Sequence, residues 1–475
     1  MLRSWALLLG TLTVVVGLTA PVAAEPAPER DVIAQMFGWN WRSIGRECGR
    51  TLGPLGYGAV QTSPPEEHSL LPELGFPWWQ SYSAVSYGLT SRYGTRAELA
   101  GMVRDCHAAG VRVYVDTIIN NMSAIQGCGI GSGATPYCHY EYPAVPYGPD
   151  DFHHCGTPND AIENYSDRYQ THHCQTLNAS DLATENDRVR DRIAGYLNDL
   201  LSLGIDGFRV DSAKYIAPED LSAIEARLSR PAYVYQEVVY SWNEQVRPEE
   251  YLATGDVMDL RYAGTLSAIF RHGHLAQLRD FGSALPSAGS VVFVANHDTE
   301  RNGSTLTYAD PERYTLANAF LLAWTYGHPK VLSDYAFDAY DEPSPSDPLG
   351  RTTDAVCGDG HWLCEHAWPG IGGMVGFHQR VRDEPVVDWT DDSGDLIAFG
   401  RGSAGYIVLN GSDSPATRSY RTSLPPGRYC DVMHGLPSAG TCTGPIVEID
   451  ESGWLHADLA PRAGLALHTG AMVTD

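Results

Sequence analysis

Gly207-Phe208-Arg209-Val210-Asp211 decides how this chain reads. It is a short apolar run that ends in a carboxylate, with an arginine two residues earlier. Residues two apart on a strand share a face, so Arg209 and Asp211 point the same way. Three other segments repeat the design: Val113-Tyr114-Val115-Asp116, Val234-Tyr235-Gln236-Glu237 and Phe293-Val294-Ala295-Asn296-His297-Asp298. One acid after an apolar run is an ordinary solvated or capping residue. Four of them, each closing a separate run, are how a (β/α)8 barrel assembles a site at its C-terminal face.

Outward from these segments, strand-like runs fall at 32–37, 57–63, 111–119, 207–211, 232–238, 257–262, 290–298 and 329–333. Helical periodicity lies between several of them. Leu99, Met102, Val103 and Cys106 share one helical face, and Val189, Ile193, Tyr196, Leu197 and Leu200 share another. Strand and helix in alternation predict parallel βαβ units, and eight strands fit a closed barrel. The third unit is abnormal. Between Ile119 and Asp187 no helix is predicted, and the stretch is rich in Gly, Pro, Tyr, His and Asn with four Cys. A structureless loop of that length is improbable inside a compact domain, so a small disulfide-braced insert is expected. After Val386, short strands at 396–400, 405–409 and 427–430, separated by turn residues, predict an antiparallel β-domain.

The chain has 475 residues, 43% hydrophobic and 10% aromatic, which is ample for a large core. Met1-Leu2-Arg3, an apolar run from Trp5 to Thr19 and then Pro21-Val22-Ala23-Ala24 read as a secretory signal cut near Ala24. No second apolar stretch of about 18 residues occurs, so no membrane span is expected. Ten Cys in an exported chain imply disulfides. Local spacing suggests Cys128 with Cys138, Cys155 with Cys174, Cys357 with Cys364 and Cys430 with Cys442, which leaves Cys48 with Cys106. The absence of any C-x-x-C pair argues against zinc. A net charge of -26 argues against nucleic acid and anionic lipid as partners.

The constellation resembles the α-amylases of glycoside hydrolase family 13, over nearly the whole mature chain. Asp116-Thr117-Ile118-Ile119-Asn120 is similar to the family's first signature, 207–214 to the second, Gln236-Glu237-Val238 to the third and Asn296-His297-Asp298 to the fourth. Gly56 to Pro65, Trp78-Trp79-Gln80-Ser81-Tyr82 and 357–368 resemble the animal and actinobacterial branch. The resemblance implies a signal peptide at 1–24, a (β/α)8 barrel (domain A) at 25–120 and 187–385, domain B at 121–186 and a β-sandwich domain C at 386–475. It implies a secreted, monomeric, endo-acting and retaining α-1,4-glucan hydrolase acting on starch, glycogen and maltooligosaccharides.

By that resemblance Asp211 is the nucleophile, Glu237 the general acid/base and Asp298 the third acid, which stabilises the transition state. Retaining enzymes need two carboxyls about 5 to 5.5 Å apart. His297 is expected on the same sugar as Asp298, Arg209 beside Asp211 to hold it ionised, and Asp116 in a structural role. Tyr82 is expected to stack on the sugar at the cleavage point, with Trp78 and Trp79 on neighbouring glucose units. Asn121 and Lys214 complete the substrate contacts. The resemblance also implies Ca²⁺, through the side chains of Asn120 and Asp181 and the carbonyls of His172 and Tyr215; calcium takes hard oxygen ligands. A chloride site is implied at Arg209, Asn296 and Lys330, where the branch more often has arginine in the last position.

The chain departs from the pattern twice. The first signature ends in Asn120-Asn121 instead of Asn-His, and Lys214 is followed by Tyr215 instead of histidine. An imidazole is lost at each place, which bears on turnover, pH optimum and substrate preference. Two other readings stay open: an exo-acting or transglycosylating enzyme of the same family, and a starch-binding protein with a dead site. The intact Asp211, Glu237 and Asp298 argue against the second.

Overall fold

The computed structural model describes residues 30–392 and 394–474. The signal-peptide reading lies outside the described residues. Eight parallel strands close into a barrel: β1 (Ile33–Met36), β2 (Ala59–Thr62), β3 (Arg112–Thr117), β4 (Gly207–Val210), β5 (Tyr233–Gln236), β6 (Asp256–Met258), β7 (Ser290–Phe293) and β8 (His328–Ser333). β8 returns to β1 with Lys330 opposite Ile33, which closes the ring. Across β3, β4 and β5 the register sets Asp116, Arg209 and Tyr235 at one height. One step below, Tyr114, Gly207 and Tyr233 are aligned. Gly207 is needed there, because a Cβ would lie 2.6 Å from the Tyr233 carbonyl oxygen and 2.7 Å from the Tyr114 ring.

The helices form where the periodicity placed them. Helix α1 (Arg96–Ala108) starts in a capping box: Thr95 Oγ1 accepts from the Glu98 amide, and Glu98 accepts from the Thr95 amide at 2.9 Å. Its buried residues are Leu99, Met102, Val103 and Cys106. Between β3 and α3 (Asp187–Ser202) runs the long insert. It contains a short helix, α2 (Arg168–His173), capped by Asp167, where a helix-free stretch was expected. Two further expectations are corrected. The run 257–262 is not one strand: β6 stops at Met258, and Asp259 accepts from the Tyr262 amide to start α4 (Leu260–His272). The run 290–298 likewise ends as a strand at Phe293. Asn296 caps α5 (His297–Arg301), so His297 and Asp298 project from a helical turn.

Beyond the barrel, two four-stranded antiparallel sheets face each other. One orders β9 (Val386–Asp392), β10 (Leu396–Arg401), β11 (Gly405–Asn410) and β16 (Ala463–His468); the other orders β12 (Ala416–Arg421), β15 (Trp454–Leu459), β14 (Ile446–Ile449) and β13 (Gly427–Cys430). Ala398, Tyr406, Val408, Leu455 and Leu467 fill the space between them. The cysteines pair as Cys48–Cys106, Cys128–Cys138, Cys155–Cys174, Cys357–Cys364 and Cys430–Cys442. No helix among the described residues is long and apolar enough to cross a membrane.

Glu66 ties three parts of the barrel together. It is fully buried after β2, and it accepts from the Ile118 amide at 2.8 Å and from the Tyr196 hydroxyl of α3 at 2.7 Å. Burial pushes its carboxyl up to about 8, against those hydrogen bonds. Between the ordinary carboxylate range and pH 8 the unfolded chain has released this proton and the folded protein keeps it, so stability falls as pH rises through that window. Glu66→Gln should remove the slope. Thermal melts from pH 5 to pH 8 are expected to show wild type losing stability relative to E66Q; parallel curves would contradict this.

Candidate active site

At the C-terminal mouth of the barrel one fully buried guanidinium organises the acids. Arg209 Nη1 donates to Asp116 at 2.8 and 2.9 Å and to Asp211 at 2.6 Å. Its Nη2 lies 2.8 Å from Glu237 Oε1. That contact is an ion pair without hydrogen-bond alignment, so Arg209 Nε and Nη2 are left without an acceptor. Ser212, directly after Asp211, takes a left-handed backbone (φ 52°), unusual for a residue with a side chain. Its amide N–H thereby reaches Glu237 Oε2 at 3.0 Å. Tyr82 donates its hydroxyl to Asp116 at 3.1 Å.

Burial pushes Asp116 and Asp211 upward, Asp211 strongly, and Arg209 opposes it. Burial and then the charge of Glu237 lift Asp298 to about 7. Burial first, and then like charge from neighbouring acids, therefore favours the protonated forms of Asp116, Asp211 and Asp298.

His297 closes one wall. Its ring stacks with Phe37 at 4.5 Å and with Tyr82 at 5.4 Å. Beneath it a polar chain crosses the barrel lumen. Lys330 Nζ donates to Gln35 Oε1 at 2.9 Å and to Gln61 Oε1 at 3.3 Å, and Tyr235 also donates to Gln61. Lysine has no acceptor, so Gln35 must offer its oxygen there and its Nε2–H to His297 Nδ1, 3.0 Å away. Burial and Arg209 hold His297 far below its usual pKa, so it is neutral. Its proton is therefore on Nε2, which faces Asp298 Oδ2 at 3.3 Å. Gln35, Gln61 and Tyr235 were not picked out by sequence reasoning. Their signal was a glutamine at the third position of two apolar strands, Ile33-Ala34-Gln35-Met36 and Ala59-Val60-Gln61-Thr62.

The remaining expected contacts divide. Tyr82 lies at the mouth, and Trp79 beside it is half-buried, with its indole donating to Asp341 at 2.9 Å. Trp78 was expected to offer a face to a sugar. It is instead buried, hydrogen-bonded to the Tyr340 carbonyl and set edge-on to Tyr82 and His297, where it braces the wall. Lys214 is buried in an ion pair with Glu244 at 2.8 Å. Asn121 is buried, and its amide nitrogen donates to the Met122 carbonyl at 2.8 Å.

Three places gather groups that suit an ion. Where the insert meets the barrel, Asn120 and Asp181 are buried on adjoining backbones, joined by the Leu182 amide donating to the Asn120 carbonyl at 2.9 Å. Helix α2, which ends near His172, packs on the turn that holds Tyr215. Asp181 also meets His153 at 2.6 Å. In the lumen, the orphaned donors of Arg209 are matched by Asn296 Nδ2, which is buried without an acceptor. Lys330 is buried nearby, and desolvation followed by the charge of Arg209 lowers it to about 7. A separate trio of buried acids, Glu300, Asp334 and Glu365, gathers oxygens within 4.8 Å of one another. Asp334 there contacts Arg301, whose guanidinium lies over Phe37 and Trp78 from behind.

The geometry has counterparts among known proteins. Residues 77–261 match the family model for the α-amylase catalytic domain, and residues 386–470 match that for the α-amylase C-terminal all-beta domain. An α-amylase of Streptomyces violaceus is 43% identical over 470 residues, covering 98% of this chain and 78% of that protein. One from Tribolium castaneum is 37% identical and covers 98% and 99%. The crystal structure of α-amylase I from Eisenia fetida superposes with a TM-score of 0.89 at 35% identity, over 93% of this chain and 98% of that one. With relatives this similar over nearly its whole length, the chain belongs to the α-amylases of glycoside hydrolase family 13.

Proposed function

We propose that this starch-hydrolysing enzyme is an endo-acting, retaining α-1,4-glucan hydrolase, with Asp211 as nucleophile, Glu237 as general acid/base and Asp298 as the transition-state acid. The observation that carries the proposal is the single guanidinium shared by Asp211 and Glu237. Two carboxylates on one guanidinium are held as neighbours, which favours the short separation of a retaining pair over the wider, water-holding gap of an inverting one. A complex of the Eisenia fetida enzyme with maltohexaose supports an oligomeric α-glucan as the substrate.

The chemistry follows from the contacts. Arg209 concentrates negative charge on Asp116 and Asp211. Glu237, as the general acid, gives a proton to the glycosidic oxygen as the C1–O bond breaks. Asp211 attacks C1 and forms a glycosyl-enzyme. The leaving chain departs, and Glu237, now a carboxylate, takes a proton from water. That water displaces Asp211 and leaves the α-anomer. Asp298 and the Nε2–H of His297 hold hydroxyls of the distorted sugar. Tyr82 supplies the ring beneath it, and Trp79 flanks it. Five disulfides suit an oxidising, extracellular setting.

The donor sets fit both ions. Asn120 and Asp181, with the carbonyls of His172 and Tyr215, offer only hard oxygens, as calcium requires. Bound there, calcium would fasten the insert to the loops after β3 and β4. Arg209 and Asn296 offer buried donors without an acceptor, and Lys330 adds a buried amine bound to Gln35 and Gln61, a set that suits an anion. Chloride there would offset the cationic charge beneath the acids.

Each of these assignments has its own test. Asp211→Asn should lower hydrolysis of soluble starch at least about a thousandfold while folding normally. NMR of the wild-type product should show the α-anomer first; a β-anomer would overturn the assignment. Chelation should lower the melting temperature and open 121–186 to protease, and Asp181→Asn should do so without chelator. Activity should rise saturably with chloride, and the response should weaken as pH climbs through about 7, where Lys330 loses its proton. Lys330→Met should abolish the response; an unchanged halide titration would remove Lys330 from the site.

A further inference from the structure

The loop after β5 carries an unusual side chain. Trp242, five residues past Glu237, is 86% exposed, more than any other large hydrophobic residue described. So exposed an indole keeps its whole apolar face free to be covered in use. The backbone beneath it is not loose. Glu244 accepts from the Ser241 amide at 2.7 Å and from buried Lys214 at 2.8 Å. Asn243 donates across to Ser166 of the insert at 3.0 Å. Tyr240, on the other side, lies between the guanidiniums of Arg247 and Arg261 and donates to the Trp242 carbonyl. The loop therefore holds the indole outward on a fixed base, bridging the acid/base to the insert. Tyr165, next to Ser166, is also exposed, so two aromatic rings flank that bridge.

We infer that Trp242 is a stacking platform for the leaving-group side of an α-1,4-glucan, beyond the first glucose past the scissile bond. The inference rests on the hydrolase reading above and adds a specificity residue to it. Glu237 protonates the oxygen of the departing chain, so the loop that continues from Glu237 borders that chain. The glucan is the occupant the position favours, because the apolar face of a pyranose covers an indole while its hydroxyls stay in water. An indole fixed on a braced loop loses little entropy in binding. Remote binding of this kind raises the productive occupancy of long chains and leaves the bond-breaking step alone.

The test compares wild type, Trp242→Ala and Trp242→Phe on maltoheptaose and on an aryl α-maltotrioside, whose leaving group ends at the first position. W242A should lower kcat/KM for maltoheptaose about tenfold, mostly through KM, and change the aryl substrate by less than about twofold; W242F should fall between. The product pattern from maltoheptaose should shift as well. In an Asp211→Asn background, maltoheptaose should quench tryptophan fluorescence less when Trp242 is absent. Thermal melts should coincide, since the side chain is in water. An active wild type with W242A unchanged on both substrates would overturn the platform alone. Equal losses on both substrates would place Trp242 in the chemistry and also overturn it. A folded wild type without hydrolysis would overturn the parent reading and this inference with it.

Discussion

Everything at the mouth of this barrel depends on burying Arg209 among carboxylates. A guanidinium removed from water is costly on its own, and so is each acid around it. Together they offset one another, because Asp116, Asp211 and Glu237 all reach the same planar group. Removing Arg209 would leave three buried acids without their shared cation, whereas removing one acid leaves the guanidinium paired with the other two. The barrel makes the arrangement possible: its register sets Asp116 and Arg209 at one height on neighbouring strands, and alternation puts Asp211 on the Arg209 face. That one guanidinium holds Asp211 and Glu237 side by side at the mouth, and Arg209 opposes the upward push that burial gives Asp211.

The lumen extends the same logic to histidine. Lys330 fixes the orientation of Gln35, Gln35 fixes the tautomer of His297, and His297 presents a neutral N–H toward Asp298. A charged imidazole would lose its solvation in this buried wall and be repelled by Arg209, Arg301 and Lys330. Position and proton are both determined from below, by residues on β1, β2 and β8 that touch no acid of the cluster.

Much of this was legible in the sequence, for a physical reason. Barrel strands are short apolar runs, and a polar residue at the end of one stands out. Helix faces such as Leu99, Met102, Val103 and Cys106 repeat at the helical period. Pattern failed where a cap decides. Nothing in the hydrophobicity of 257–262 tells that Asp259 accepts from Tyr262 and turns the chain into a helix. Asn296 likewise looked like the end of a strand because its capping role is a hydrogen bond, not a period. The short α2 helix has too few turns to show periodicity. Trp78 and Trp79 are adjacent and chemically alike, yet one braces the wall and the other borders the mouth. Only the packing around Tyr340 and Asp341 separates them.

The two departures from the family signatures are absorbed differently. Asn121 forms a bridge with Asp181, and its amide is bound to the Met122 carbonyl. The residue is built into the joint between barrel and insert, whereas the buried, neutral His297 is clamped between two rings at the mouth. Tyr215 replaces a titratable ring with one that stays protonated, since burial raises its phenol far above neutral pH. Lys214 beside it lies over that ring and pairs with Glu244. The position thus serves to steady the loop after β5 instead of carrying a proton. Neither position carries an imidazole, and the histidine that does face the acids, His297, has its tautomer and charge state fixed from the lumen.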